Sequence, residues 1–231
     1  MKDKPLRVST KRGYIIELAG IPGAGKTTLM SALDQRIDNL EWIFLEHYRY
    51  TGNVAFFFYN FILLIPLILR TRISVGEWFS HRDLAQMIML NGLPGVARRK
   101  AMNKIVIFEE GCVALISQMH RRNSLVLRCP TTGHWWKKIY KEWSETLDMI
   151  IELDAPVKTI VRRIRNRNDQ FEVADMSDEV AIKYFNEIQR TQENLLFIFE
   201  SRPQAPCILR FNSMQKSPEQ IGDDVLTILN C

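Results

Sequence analysis

Five short apolar runs punctuate the chain: YIIELA (14–19), WIFLE (42–46), KIVIFE (104–109), MIIELD (149–154) and CILRF (207–211). Between them lie longer stretches in which apolar residues recur three and four positions apart. The short runs fit buried strands and the longer stretches fit helices. Helices are predicted near 26–37, 111–127, 133–146, 156–167, 178–200 and 217–229, with two more in 53–98 broken near Ser74–Gly76. Ser217 with Pro218 and Gln220 makes a helix start with a capping box, and Ser177 before Asp178 and Glu179 opens another. Strands alternating with helices predict an α/β fold, a parallel sheet covered on both faces. No repeat, low-complexity tract or linker interrupts the pattern, so 1–231 reads as one domain. Within it, 1–12 reads as a basic leader, 47–103 as a helical insertion and 162–176 as a lid. One stretch stands apart: VAFFFYNFILLIPLIL (54–69) is almost wholly apolar and is followed by Arg70 and Arg72. It is shorter than the ~20 residues that span a bilayer and carries Asn60 and Pro66. It reads first as a buried helix or the wall of an apolar pocket. Contact with a membrane interface is the second reading, because a clean polar face is missing.

The 231 residues suffice for a self-supporting core. Charged residues make up 25% and hydrophobic ones 46%, which excludes a disordered chain. The net charge of +5 suits an anionic ligand and is too small to imply nucleic acid. Cys112, Cys129, Cys207 and Cys231 form no CxxC pair and no zinc spacing, and they read as free thiols of a reducing compartment. The N-terminal segment lacks the apolar core of a secretory signal, so a cytoplasmic location is expected.

The most specific signal is GIPGAGKTT (20–28), set between a strand and a helical pattern. Gly20-x4-Gly25-Lys26-Thr27 has the spacing of a P-loop. Glycines allow successive backbone N–H groups to turn inward, and the helix N-terminus behind them attracts phosphate. Gly20, Pro22, Gly23, Ala24, Gly25, Lys26, Thr27 and Thr28 are therefore candidate ATP-binding residues. Lys26 is placed at the β/γ-phosphates and Thr27 at Mg²⁺.

In an open parallel sheet, ligands lie beyond the carboxyl ends of the strands. The second strand ends in Glu46-His47-Tyr48-Arg49, where Glu46 could accept or orient a proton and Arg49 could hold an anionic acceptor. The third ends in Glu109-Glu110-Gly111. Glu109 sits where a Mg²⁺-binding acid belongs, and Glu110, on the opposite face, is a candidate for the acceptor. Lys158, Arg162, Arg163, Arg165 and Arg167 crowd one helix and its end. Arg163 and Arg167 share a face and could neutralise a transferring phosphoryl group. Arg82 and Gln86, four apart, are further acceptor-site candidates. Two acids at the acceptor favour a neutral hydroxyl over a phosphate.

These motifs resemble the thymidylate kinase and deoxynucleoside kinase group of P-loop kinases, from residue 13 to 229 and most weakly in 50–100. GIPGAGKTT resembles their opening loop. LDAPVKTIVRRIRNR (153–167) is similar to their fourth strand and lid-leading helix. ILRFNSMQKSPEQIGDDVLTIL (208–229) looks like their last strand, adenine loop and C-terminal helix. The resemblance implies a five-stranded sheet in the order 2-3-1-4-5. It also implies phosphate and Mg²⁺ roles for Lys26 and Thr27, a catalytic glutamate at Glu46, a metal-binding acid at Glu109 and lid arginines at Arg163 and Arg167. Asn212, Ser213 and Met214 fall near the adenine loop. The chain departs from the group in following Glu109 with Glu110 rather than Arg, and in reading Glu-His-Tyr where Glu-Pro is usual.

The expected activity is transfer of the γ-phosphoryl group of Mg-ATP to a small-molecule acceptor: a hydroxyl of a nucleoside-like, sugar or lipid-linked compound, or a nucleoside monophosphate. The alternative is a nucleotide-dependent switch that docks to a membrane or protein partner through 54–69. A homodimer is plausible by the same resemblance, and no nucleic-acid partner is expected.

Overall fold

A computed structural model describes residues 13–45, 54–122, 124–166 and 176–229. Five strands form one sheet: β1 (Tyr14–Ala19), β2 (Leu40–Ile43), β3 (Ile105–Phe108), β4 (Met149–Asp154) and β5 (Cys207–Asn212). All pairings are parallel, and the order is β2-β3-β1-β4-β5. The helices among the described residues are α1 (Lys26–Asp34), α2 (Val54–Val75), α3 (His81–Lys100), α4 (Cys112–Arg122), α5 (Leu125–Arg128), α6 (Pro130–Thr146), α7 (Val157–Arg165), α8 (Asp178–Glu200) and α9 (Pro218–Leu229).

The strands alternate between two apolar layers because successive side chains leave opposite faces. Ile16, Leu18, Ile105, Ile107, Met149 and Ile151 pack with Leu29 and Leu33 of α1 and Ile221 and Val225 of α9. Ile15, Val106, Phe108 and Ile150 face the other way, into a layer built with α3, α4, α6 and α8. Trp143 anchors that layer. It is fully buried, meets Phe108 edge-on at 5.4 Å and donates its indole N–H to the Leu90 carbonyl at 3.0 Å. The same alternation puts Glu17 in line with Ile15 and Ala19, inside this layer.

Local sequence signals are realised at two helix starts. The Ser217 N–H donates to Gln220 Oε1 at 2.9 Å while the Gln220 N–H donates to Ser217 Oγ at 3.3 Å. Ser177 Oγ accepts from the Val180 N–H at 3.5 Å. Three expectations are corrected. β2 begins two residues earlier than expected, because Asn39 turns the chain with φ 59° and its carbonyl takes the Ile105 N–H at 3.2 Å. The helix expected over 111–127 ends at Arg122, with α5 a separate turn. The 54–69 stretch is helical but not buried. α2 buries Asn60, Leu64, Ile68 and Thr71, packs Phe56, Phe57, Leu67 and Val75 partly against the core, and leaves an apolar face outward.

Candidate functional site

β1, flanked by β3 and β4, delivers the chain into the phosphate-loop residues 20–25, and α1 follows directly. Gly20 adopts φ 137°, and a Cβ there would lie 2.5 Å from the Leu153 carbonyl oxygen, so the turn off β1 requires glycine. Gly23 and Gly25 also have positive φ, at 85° and 110°. The N-terminus of α1 carries no side-chain cap and no acid in its first turn. An uncapped helix start behind a glycine turn is the local chemistry that accepts an anion. Lys26 folds over the loop and donates from Nζ to the Gly20 carbonyl at 2.8 Å and the Ile21 carbonyl at 3.5 Å. Thr27 is exposed on the first turn of α1. These residues fit a Mg-nucleoside triphosphate.

The loop separates two cavities. On one side, about 310 Å³ is lined by Gly23, Ala24, Gly25, Thr28, Arg163, Ser213 and Lys216 among others. Arg163 spans it, donating to the Gly23 carbonyl and Ser213 Oγ at 3.2 Å each and to Met214 Sδ at 3.3 Å. Asn212 shapes the facing turn by accepting the Met214 N–H at 2.9 Å. The 153–156 turn is held by Asp154, whose Oδ1 accepts the Ala155 N–H at 2.8 Å and Gln189 Nε2 at 3.0 Å.

On the other side, about 590 Å³ opens between the loop, α3, α4 and α8. Gly20 and Pro22 of the loop line it together with Arg82 and Glu110, the two residues that the sequence suggested for an acceptor. Sequence reasoning missed most of its wall: Ser117, Gln118, Arg121 and Arg122 of α4, and Tyr184, Glu187 and Gln192 of α8. Ser117 Oγ and Arg121 Nε are buried with no hydrogen-bond partner among the described residues. The Arg121 guanidinium lies 5.5 Å from the centre of the Tyr184 ring. Polar atoms left unpaired in a cavity wall are positions a ligand can satisfy. Arg82, Arg121 and Arg122 share this wall with Glu110 and Glu187, so the Glu109-Glu110 pair alone does not decide between a hydroxyl and a phosphate acceptor.

Gln86 does not line this cavity, contrary to expectation. It is fully buried behind the wall, where Nε2 donates to Gln118 Oε1 at 2.7 Å and Oε1 accepts from Arg122. Its amide is already used in holding two residues that do line the cavity. Arg122 is fixed further by Asp83 Oδ1, which accepts Nε at 2.9 Å and Nη2 at 2.6 Å. Ser80 completes the cluster, bonding Asp83 Oδ2 at 2.8 Å and capping α3 through the Asp83 N–H at 3.0 Å.

Glu109 stands half-buried at the carboxyl end of β3 and lines neither cavity; its N–H donates to the Ile43 carbonyl at 3.4 Å. Arg165 is engaged away from both cavities, with Asp178 and the Met176 carbonyl. Glu46, Arg49 and Arg167 lie outside the described residues.

A group that sequence reasoning overlooked supports the Glu109–Gly111 corner. Glu17, fully buried, accepts the Gly111 N–H at 3.1 Å and the Val113 N–H at 2.9 Å on Oε1, and the Cys112 thiol at 3.2 Å on Oε2. It thereby caps the start of α4 from the neighbouring strand. Burial pushes its pKa up to about 7 against the lowering effect of these hydrogen bonds. A Cβ at Gly111 would sit 2.5 Å from Glu17 Cδ, so any other residue there would displace the Glu17 carboxyl. A lone acid inside an apolar strand was the available signal.

No protein-family model and no curated protein matches the chain. Solved structures match over nearly its whole length. Deoxyadenosine kinase from M. mycoides with bound dCTP aligns at TM-score 0.54 and 16% identity, over 94% of this chain and 98% of that one. The same enzyme with bound dATP gives 0.52 and 17%, over 94% and 100%. Thymidylate kinase from Candida albicans gives 0.55 and 13%, over 95% and 92%. At these identities the likeness is one of fold. The chain has the α/β fold of the P-loop deoxynucleoside and nucleotide kinases, with their parallel sheet ordered 2-3-1-4-5.

Proposed function

We propose that this protein is an ATP-dependent phosphotransferase that moves the γ-phosphoryl group of Mg-ATP to a hydroxyl or phosphate of a small, nucleoside-like acceptor. The observation that carries this reading is the phosphate loop standing as the shared wall of two cavities, one toward Arg163 and Ser213 and the other toward Arg82 and Glu110. A hydrolase needs one nucleotide pocket, whereas a transferase needs a second compartment that meets the first at the phosphates. The fold, shared with kinases of nucleosides and nucleotides, supports the acceptor class.

The 20–25 backbone and Lys26 would hold the triphosphate and Thr27 its Mg²⁺; a metal-binding role for Glu109, which lines neither cavity, rests on the sequence. When bound, that ion supplies charge neutralisation on the phosphoryl oxygens. The adenine side would rest on Asn212, Ser213 and Met214, with Arg163 fixing this turn to the loop. In the acceptor cavity, Gln118, Arg121, Tyr184 and Glu187 would orient the acceptor, and the α3–α4 cluster behind them limits their movement. Roles for Glu46 as proton acceptor, Arg49 toward the acceptor and Arg167 in the lid rest on the sequence. Rate enhancement in such a site comes from placing the acceptor oxygen in line with the phosphoryl group and compensating its charge.

The direct test is phosphoryl transfer from labelled ATP to a panel of nucleosides, nucleoside monophosphates and sugars. Wild-type protein is expected to label at least one acceptor, and Lys26→Ala to reduce that rate by about 10² or more. Unchanged labelling by Lys26→Ala would remove the proposed donor site.

A further inference from the structure

The apolar stretch at 54–75 is not accounted for by phosphoryl transfer. One stripe of α2 is committed to the protein: Asn60 donates to the Phe56 carbonyl at 2.9 Å and accepts from Asn91 at 3.0 Å, and Leu64, Ile68 and Thr71 are buried beside it. The other side faces solvent. Ile73 is 86% exposed, Val54 72%, and Phe58 and Tyr59 64% each, with Ile62, Leu63 and Leu69 about half exposed between them. At a rise of 1.5 Å per residue, this face runs for roughly 30 Å. A continuous apolar face of that length marks an interaction surface.

Its chemistry selects the occupant. Between Val54 and Gly76 there is no acidic residue, while Arg70 and Arg72 stand at the C-terminal end of the face. Arg72 lies 5.4 Å from the ring centre of Trp78, itself 60% exposed. Trp78 and Tyr59 are the ring types that settle where hydrocarbon meets headgroups, and Arg70 and Arg72, the latter beside Trp78, match anionic lipid. A protein partner would call for about one hydrogen bond per 100–200 Å². From Val54 to Leu69, this outward face offers the Tyr59 hydroxyl as its side-chain hydrogen-bonding group. The helix is long and apolar enough to cross a membrane, but the stripe packed on the protein keeps it in the surface plane.

We propose that α2 is an in-plane membrane anchor. It lays Phe58, Ile62, Leu69 and Ile73 into the headgroup–acyl boundary of an anionic bilayer, with Arg70 and Arg72 at the level of the lipid phosphates.

Flotation with phosphatidylcholine vesicles, with and without phosphatidylglycerol, tests this without reference to catalysis. The wild-type protein is expected to float with the anionic vesicles and to be released by salt. Arg70→Ala should weaken that binding about five-fold. The double variant Phe58→Glu/Ile73→Glu should stay at the bottom of the gradient while keeping the wild-type unfolding temperature, since both positions are exposed. Absence of wild-type flotation at low salt overturns the proposal, as does equal flotation of the double variant. A dimer in sedimentation velocity that this variant dissociates, without flotation, would assign the face to a second copy instead.

Discussion

A single buried carboxylate sets the Glu109–Gly111 corner of this protein. Glu17 receives two backbone N–H groups and a thiol, yet desolvation outweighs them and raises its pKa to about 7 from an ordinary 4.5. The folded state therefore holds a proton that the unfolded chain has released over the interval from about 4.5 to about 7. Stability must fall as pH rises through that window. The full shift corresponds to on the order of 3 kcal/mol. Glu17→Gln keeps an oxygen for Gly111 and Val113 and removes the titration. Urea unfolding should therefore show the variant gaining on wild type between pH 5 and pH 8, and a parallel pH dependence of the two would contradict this account. The sequence hides this residue because YIIELA reads as an apolar strand with one tolerated acid. Its partners lie 94 to 96 positions away, and only the β1–β3 pairing brings them together.

The elements around the larger cavity are held by a polar cluster rather than by apolar packing alone. Asp83 of α3 is almost fully buried and carries the Arg122 guanidinium of α4, while Gln86 ties Arg122 to Gln118. A fully buried pair that loses one member costs about 3–5 kcal/mol, and the partial exposure of Arg122 and its bond to Gln86 put this pair at or below the lower end. Asp83→Ala should lower stability by roughly that amount, and Asp83→Ala/Arg122→Met should recover most of it; chemical denaturation of the three proteins gives the comparison. Additive losses in the double variant would show that the pair is not coupled. This cluster also marks where sequence reading stops. Ser217 and Gln220 act within one turn, so their capping box was legible. Arg82 and Gln86 were both placed at the acceptor by helical spacing, but the partners that withdraw Gln86 lie 32 and 36 residues away. The 54–69 helix was legible as a helix, yet its exposure was not, because apolar composition is the same whether a face meets protein or lipid.

Over the whole molecule, the sheet order makes the phosphate loop the meeting point of two separate compartments. β1 lies between β3 and β4, so the loop it feeds is flanked by the end of β3 and α4 on one side and by the 153–156 turn and α7 on the other. Arg163 closes the smaller cavity by joining the Gly23 carbonyl to Ser213, whereas Arg82 lines the larger cavity and not the smaller one. Ligand linkage can separate these roles before any acceptor is known. A non-hydrolysable Mg-ATP analogue at 100 times its Kd adds about 2.7 kcal/mol to the folded state. For a chain of this size that is about 5–10 °C in unfolding temperature. Lys26→Ala should abolish most of that shift, and Arg163→Ala should reduce it by opening the adenine side. Arg82→Ala should leave it intact, because Arg82 lines the cavity across the loop from the proposed nucleotide pocket. An acceptor recognised by the second cavity should then add a further shift in the Arg163→Ala protein and little in the Arg82→Ala protein. Thermal unfolding of the four proteins with the analogue, alone and with each candidate acceptor, reads both compartments independently. If Arg82→Ala loses the nucleotide shift as fully as Lys26→Ala does, the two cavities are one site and the transferase architecture is wrong.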